Sequence, residues 1–202
     1  PGWTRICSID FGFNAPFVCQ WWAIDADGLM YLYKEIYQTE LLITDAAKKI
    51  KQLSANEKIS EYIADHDAGE RAVLADHGIH TVAARKDVIV GIDAVRRRLA
   101  VGANGKPRLY ILTDTLVEAD PMLLYKSMPT CTLDEIPYYV YKTPKPGEIS
   151  SDEPLKKHDH GMDAMRYAVM YVDKHLSFDY NPKPNVRDGL NSLFSPSRSG
   201  MF

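Results

Sequence analysis

Acidic residues end two of the apolar segments in the sequence. Asp10 lies near the end of residues 4–11, and Asp65 directly follows the apolar run at residues 59–64. An acid in an apolar strand is costly unless it has a partner or a metal ion. Because ligands of α/β sheets gather at the carboxyl ends of strands, neighbouring strands would bring both carboxylates to one rim. The alternative for each acid is a capping role in the following turn, and Asp67 is placed to cap the next helix.

A third acidic element is residues 158–167, with the sequence His-Asp-His-Gly-Met-Asp-Ala-Met-Arg-Tyr. In a helix, Asp159 and His160 share a face with Asp163, because they lie four and three residues before it. Clustered acids on one face repel each other unless a cation lies among them. Two alternatives need no metal: Asp159 would favour the positive end of the helix dipole, and Asp163 could pair with Arg166 at the surface.

If these acids converge, the chemistry they would support is phosphodiester hydrolysis. Oxygen ligands without cysteine favour Mg²⁺ or Mn²⁺. Carboxylates from two strand ends and one helix could hold two such ions about 3.5–4 Å apart, one presenting a hydroxide and the other stabilising the leaving 3′ oxygen. His160 could be a metal ligand, a proton carrier or an orienter of the water, or only a histidine at a helix start.

The surrounding sequence predicts the elements that must position these residues. Residues 4–11, 18–24 and 29–37 have the composition of strands, and the Asp-Gly pair at 27–28 is a hairpin signal, so they predict an antiparallel meander. Helices and short strands then alternate: helix 42–53, strand 59–64, helix 70–77, strand 81–84, helix 88–101, strand 109–112, a helix from Asp114 or Thr115 to about 127, and helix 158–175. This order predicts an α/β fold with a mixed sheet, in which parallel strands follow the three-strand meander and helices flank it.

Length and composition fit one folded domain. The chain has 202 residues, 46% hydrophobic and 25% charged, and we expect a domain at residues 1–175 followed by a loosely ordered tail at 176–202. The net charge of -3 argues weakly against a nucleic-acid partner. No apolar run of about 18 residues is present, so no membrane span is expected. The start at Pro1 rather than Met predicts an excised fragment.

Several common motifs are missing from the sequence. It contains no GxxxxGK[ST] phosphate-binding loop and no GxSxG nucleophile turn. Its three cysteines are scattered without a CxxC pair, so a zinc knuckle is not expected. These absences leave the acidic residues as the best candidates for catalysis.

In their order along the chain, these residues resemble the nuclease domain of the large terminase subunit of tailed bacteriophages, a member of the RNase H-like superfamily. Residues 9–16, Ile-Asp-Phe-Gly-Phe-Asn-Ala-Pro, look like the family's first-strand acid and following glycine. Ala64-Asp65 looks like its second acidic motif. Residues 159–167 are the most specific, because they match the family's Asp-His-x-x-Asp-Ala-x-Arg-Tyr pattern. The resemblance extends over about residues 4–172.

The resemblance implies an activity, a site and a set of partners. Asp10, Asp65 and Asp163 would be the catalytic, metal-binding acids, with His160 and Asp159 assisting. The implied enzyme is a two-metal endonuclease, using Mg²⁺ or Mn²⁺, that cuts double-stranded viral DNA during genome packaging in the host cytoplasm. Family members also carry an ATPase domain, which this chain lacks. The implied partners are that domain, the small terminase subunit and the portal.

Basic residues near the proposed centre are candidates for DNA phosphate contacts, which give affinity without reading sequence. They fall in two groups, one around a predicted helix start and one in an exposed loop at residues 142–157: Arg85, Lys86, Lys142, Lys145, Lys156 and Lys157. The arginines at 96–98 have a plainer interpretation, as the solvated face of an amphipathic helix.

Two other functions fit the same sequence. One is a different RNase H-like enzyme, such as a Holliday-junction resolvase or a transposase-type core, although the pattern at residues 159–167 points away from it. The other is a DNA-gripping or docking module of a packaging motor in which cleavage is dormant. Mutually repelling carboxylates make a poor grip on DNA, so this reading is weaker.

Overall fold

The computed structural model describes residues 2–141 and 154–176, and its centre is a six-stranded sheet. The strands are β1 (Thr4–Asp10), β2 (Phe17–Ile24), β3 (Met30–Gln38), β4 (Glu61–Ala64), β5 (Thr81–Ala83) and β6 (Leu109–Ile111). The helices are α1 (Ile43–Leu53), α2 (Ala68–Asp76), α3 (Val88–Leu99), α4 (Pro121–Tyr125), α5 (Thr132–Glu135) and α6 (His160–His175), and a 3₁₀ turn covers Ile136–Tyr138.

The sheet is mixed, with the strand order β5-β4-β1-β2-β3-β6. Neighbours among β1, β2 and β3 pair antiparallel, whereas β4 and β5 continue in parallel from β1, and β6 pairs in parallel with β3. The hairpin between β2 and β3 closes as predicted, because the Asp25 carboxylate accepts from two turn amides and Gly28 has a φ of 78° that favours glycine. The prediction of an α/β fold with a mixed sheet is confirmed.

The two faces of the sheet are covered by different helices, because side chains alternate along each strand. Ile6 belongs to one buried cluster together with Met165 of α6. Ile9 belongs to another together with Ile50 of α1. Asp10 follows Ile6 by four residues and therefore lies on the face that α6 covers.

The helix predicted from Asp114 or Thr115 is wrong in its first half. Residues there run beside β3, where Leu116 forms an isolated parallel bridge with Glu35. The helix begins only at Pro121, which needs no amide partner at a first helical position, and Asp120 caps it. The short helix α5 was not predicted at all.

The other predicted elements differ from the observed ones mainly at their ends. Asp67 caps α2 by accepting from the amide of Glu70 at 2.9 Å, as its position suggested. Within the described ranges, no helix combines the length and apolar character needed to cross a membrane. Lys142 and Lys145, much of the predicted loop, and residues 177–202 of the predicted tail lie outside the described residues. The domain boundary at 175 stays a prediction.

Candidate active site

Asp10 and Asp65 lie at the same rim of the sheet. β1 and β4 are parallel neighbours with Ile9 opposite Ala64, and the Asp65 amide donates to the Ile9 carbonyl at 3.1 Å. Both acids therefore directly follow the last residue pair between β1 and β4. This is the arrangement that the sequence predicted for the carboxyl ends of the strands.

Helix α6 brings its own polar residues to Asp10. His160, the first residue of α6, places Nδ1 3.1 Å from Asp10 Oδ2. Two turns later, the Tyr167 hydroxyl donates to Asp10 Oδ1 at 3.3 Å. Both carboxylate oxygens of Asp10 thus contact α6, and the Asp10 side chain is almost fully buried between the helix and the sheet.

The loop after Asp10 also requires a particular residue. A Cβ at Gly12 would lie 2.4 Å from the carbonyl oxygen of Pro16, far inside contact distance. Only glycine allows the chain to turn back this tightly after β1. The glycine that follows Asp10 in the sequence is therefore explained by backbone packing.

Each of the three acids has a basic partner of its own. Asp163 accepts from Arg166 Nη2 at 2.6 Å, and this arginine is almost fully buried. Asp65 pairs with the ammonium of Lys86, which is half exposed. Asp10 contacts His160. The sequence suggested a surface pair between Asp163 and Arg166. The pair forms, but Arg166 is buried rather than exposed.

Burial and mutual repulsion shift the pKa values in this cluster. Burial raises the pKa of Asp10 to about 6, the His160 hydrogen bond opposes the shift, and the charges of Asp163 and Asp65 add to it. Burial also raises the pKa of Asp163, against the effect of Arg166. For His160, burial lowers the pKa, but the hydrogen bond and charge of Asp10 outweigh this and the net shift is upward. Asp10 is therefore close enough to both other acids for their charges to raise its pKa.

A divalent cation would suit this set of donors chemically, although the ligands do not form a closed site. Among the described residues, no group of three His, Cys, Asp or Glu side chains is close enough to hold one metal ion. The carboxylates that converge are hard oxygen donors, and their mutual repulsion is the condition that a cation relieves. A cation beside Asp10 would oppose the upward shift of its pKa.

The remaining predicted site residues have different surroundings. Asp159 stands at the N-cap position of α6 and makes no side-chain capping bond. Arg85 pairs with Asp87, which stands at the N-cap position of α3 and makes no side-chain capping bond. Lys156 and Lys157 are exposed.

Sequence reasoning missed a buried polar network beside the site. It contains two carboxylates that are completely buried, and its members come from β2, β3 and α5: Gln20, Glu35, Thr132 and Glu135. Tyr167 was quoted only as part of the motif, and its contact with Asp10 was not foreseen. An alternating strand with Glu35 on a buried face carried a signal, but α5 is too short to show periodicity.

The fold is shared with known phage proteins, although the sequences have diverged widely. No protein-family model matches the chain, and no curated protein sequence matches it. A large terminase from a thermophilic bacteriophage superposes with a TM-score of 0.65 at 23% identity, over 84% of this chain and 39% of that one. This chain thus spans about two fifths of that terminase.

Isolated nuclease domains match over most of their own length. The nuclease domain of the phage P22 large terminase gives a TM-score of 0.59 at 19% identity, over 85% of this chain and 82% of that one. The large terminase nuclease of thermophilic phage G20c gives 0.55 at 18% identity, with coverages of 85% and 82%. The described part of this chain therefore has the fold of large-terminase nuclease domains, the RNase H-like fold expected from the sequence.

Proposed function

We propose that this chain is a metal-dependent endonuclease that hydrolyses phosphodiester bonds of double-stranded DNA. The observation that carries the proposal is the meeting of Asp10, Asp65 and Asp163 at one rim of the sheet, where the charges of the other two acids both act on Asp10. Nothing in the packing of the core requires three acids there, and their repulsion costs stability. A cluster of this kind fits a catalytic site better than a structural one.

Each acid has a role that its surroundings support. Asp10, Asp65 and Asp163 would hold Mg²⁺ or Mn²⁺, with Asp159 assisting. Such an ion, bound as one of a pair, would activate a water and stabilise the leaving oxygen of the phosphodiester. His160 and Tyr167 orient the Asp10 carboxylate, because one contacts each of its oxygens.

DNA would approach across the rim that carries these acids. Lys86 lies there already, and Arg85 adjoins it. We assign phosphate contacts to both, together with exposed Lys156 and Lys157, and to Lys142 and Lys145 outside the described residues.

The biological setting that we propose is genome packaging by a tailed phage in its host cytoplasm. The support is the shared fold with terminase nuclease domains and the motif at residues 159–167. In that setting the partners would be a terminase ATPase domain, the small terminase subunit and the portal.

Plasmid cleavage by the purified chain tests the proposal. With Mn²⁺ or Mg²⁺ the protein should nick or linearise plasmid, and chelator should stop this. Asp10→Asn and Asp163→Asn should each lower the cleavage rate more than about a hundredfold. Mutation of residues that only hydrogen-bond to metal ligands already lowers metal affinity or activity by about 10–100-fold. Asp45→Asn is the control, because Asp45 is an exposed acid of α1 that pairs with Lys48. Full cleavage in excess chelator would contradict the proposal.

A second function, DNA gripping without cleavage, is favoured by one observation. In the described residues Asp10, Asp65 and Asp163 are each engaged by a basic partner, and no three ligands share one position. Salt-sensitive DNA binding that survives Asp10→Asn, with no cleavage under either metal, would establish this function instead. Sharp preference for four-way junctions over linear duplex would indicate a resolvase.

A further inference from the structure

Helix α6 carries His160 and Asp163 but does not cap itself. The first amides of a helix have no partners within it, and an Asp at the N-cap position usually accepts from one of them. Asp159 occupies that position, and its carboxylate makes no such bond. Since the start of α6 is largely buried, those amides need another acceptor.

Glu135, at the end of α5, supplies the acceptor. Its Oε2 accepts from the Met162 amide at 2.9 Å, and the Gly161 backbone also bonds to this carboxylate. Its Oε1 accepts from the Tyr37 hydroxyl at 2.5 Å. The side chain is completely buried, so water does not compete for these hydrogen bonds.

Glu135 is itself held in place by a chain of bonds that reaches across the sheet. Glu35 on β3 accepts from the Thr132 hydroxyl at 2.6 Å, which fixes the start of α5. Gln20 on β2 donates from Nε2 to Thr132 Oγ1 at 2.7 Å and to the Gly161 carbonyl at 2.8 Å. The same network therefore grips both α5 and the first turn of α6.

The contact between α5 and α6 leaves no room for a side chain at Gly161. A Cβ there would lie 2.4 Å from Thr132 Oγ1 and 3.0 Å from Glu135 Oε2. The first turn of α6, which begins with His160, therefore packs directly against α5. A glycine at this point of the motif is needed for that packing.

We propose that Glu135 is a positioning residue, whose buried carboxylate caps α6 in place of Asp159 and thereby sets His160 and Asp163 relative to Asp10. Because the cap comes from α5, the Asp159 carboxylate stays available at the site. The catalytic part of this inference rests on the proposed nuclease function, whereas the geometric part does not.

The test compares two neighbouring acids of the same short helix in the 202-residue chain. Glu135→Gln and Glu135→Ala alter the cap, whereas Asp134→Asn and Asp134→Ala alter an exposed carboxylate whose hydrogen bonds come from Thr130 and Cys131 and not from α6. In metal-free protein, NMR follows hydrogen exchange of the Met162 amide and the side-chain resonances of His160. With Mn²⁺, titrations measure the concentration that half-saturates binding and plasmid cleavage.

Glu135→Ala should speed exchange of the Met162 amide, shift the His160 resonances and raise the half-saturating Mn²⁺ about tenfold. Glu135→Gln should show smaller changes in all three measurements, because its amide oxygen can still accept a hydrogen bond from the α6 amides. The Asp134 variants should change none of them. If Glu135→Ala fails to fold, Glu135→Gln must still show measurable shifts at Met162 and His160.

The inference is overturned if the Glu135 variants behave like the Asp134 variants at Met162 and His160. It is also overturned if they lower stability while the half-saturating Mn²⁺ stays constant, because Glu135 would then be merely structural. A wild-type chain that binds no Mn²⁺ and cuts no DNA defeats the proposed function. In that case the metal-free shifts at Met162 and His160 still decide whether Glu135 caps and positions α6.

Discussion

Two pairs of carboxylates lie on the same side of the sheet and have opposite kinds of hydrogen-bonding partner. Glu35 and Glu135 receive hydrogen bonds only from neutral donors, namely hydroxyls and backbone amides. Asp10 and Asp163 are held by His160 and Arg166, and each also repels the other. The exposure differs as well, since both glutamates are completely enclosed and both aspartates reach the rim.

The difference indicates two tasks. Buried hydroxyls and backbone amides hold a carboxylate in place, because a buried donor left without an acceptor costs free energy. A cationic side chain can exchange its place with another cation. The glutamates therefore belong to the framework of the site, and the aspartates to the part that would change partners when a metal ion binds.

The largest effect should come from removing a framework carboxylate. Glu35→Ala strands the Thr132 amide and hydroxyl and the Thr115 hydroxyl, so we expect a loss of about 3 kcal/mol in the free energy of unfolding. Urea denaturation followed by circular dichroism measures it. Asp134→Ala, at an exposed acid, should cost less than about 1 kcal/mol. Equal losses in the two variants would remove the distinction between framework and surface carboxylates.

Removing a site carboxylate should raise the free energy of unfolding of the metal-free protein, whereas removing a framework carboxylate lowers it. The folded state raises the Asp10 pKa from 3.8 to about 6, so ionised Asp10 opposes folding at neutral pH. The favourable contribution of this group is complete below its unfolded pKa and is lost as pH rises through the folded value. Asp10→Asn should therefore stabilise the protein at pH 7 by about 3 kcal/mol, even though the proposed function predicts that the same change stops cleavage.

Denaturation at a series of pH values measures the sign of the stability change caused by Asp10→Asn and the pH range over which it disappears. The advantage of Asp10→Asn should shrink as pH falls from 7 to 4 and nearly vanish at the lower end. The raised pKa of His160 acts in the same direction, because wild-type protein keeps that favourable pair only at lower pH. An Asp10→Asn protein less stable than wild type at pH 7 would mean that Asp10 is a framework residue like Glu35.

The contact between framework and site can be tested at one glycine. Gly161→Ala drives a methyl group into Thr132 Oγ1, and overpacking of this kind costs at least about 1 kcal/mol. The free energy of unfolding should fall, and the half-saturating Mn²⁺ concentration should rise. Gly69→Ala is the matched control, since its Cβ would meet nothing closer than Asp67 Oδ1 at 3.3 Å. A neutral Gly161→Ala would show that the first turn of α6 can move without consequence.

The sequence predicted the exchangeable part of the site better than the framework. Asp10 and Asp65 could be placed because each ends an apolar run, and both lie at one rim. The motif at residues 159–167 predicted the helix that carries the site. The spacing within the motif did not predict that His160 and Tyr167 contact Asp10, or that Gly161 packs against α5.

The framework was hidden because its contacts are distant in sequence. Glu35 and Thr132 are 97 residues apart, and Tyr37 and Glu135 are 98 apart. Local patterns report periodicity and caps, but not which remote donors will meet a buried acid. The same limit explains the helix predicted from Asp114, where pairing with β3 overrides a weak local preference.

The smallest effect is expected at the most exposed of the ionic pairs in the site. Lys86 is half exposed, and its bond to Asp65 should contribute no more than about 1 kcal/mol. Lys86→Met should change the free energy of unfolding by less than about 0.5 kcal/mol, while removing the cation that competes with a metal for Asp65. Without DNA, the half-saturating Mn²⁺ should therefore fall, by up to about fivefold. Arg97→Met, which removes an exposed pair of α3 with Asp93, should leave it unchanged.

DNA binding gives the same variant a second readout. If a cation replaces Lys86 on Asp65, the freed ammonium can contact a phosphate, and each such contact contributes about 1 to the slope of log affinity against log salt. With Ca²⁺ in place of Mn²⁺, Lys86→Met should lower the magnitude of that slope by about 1, the contribution of one phosphate contact. Without a divalent ion, the same substitution should lower the slope by less. A loss of the same size in both conditions would mean that Lys86 contacts DNA without leaving Asp65. The exchange of partners at the site acids would then be limited to Asp10 and Asp163, whose basic partners are the more buried ones.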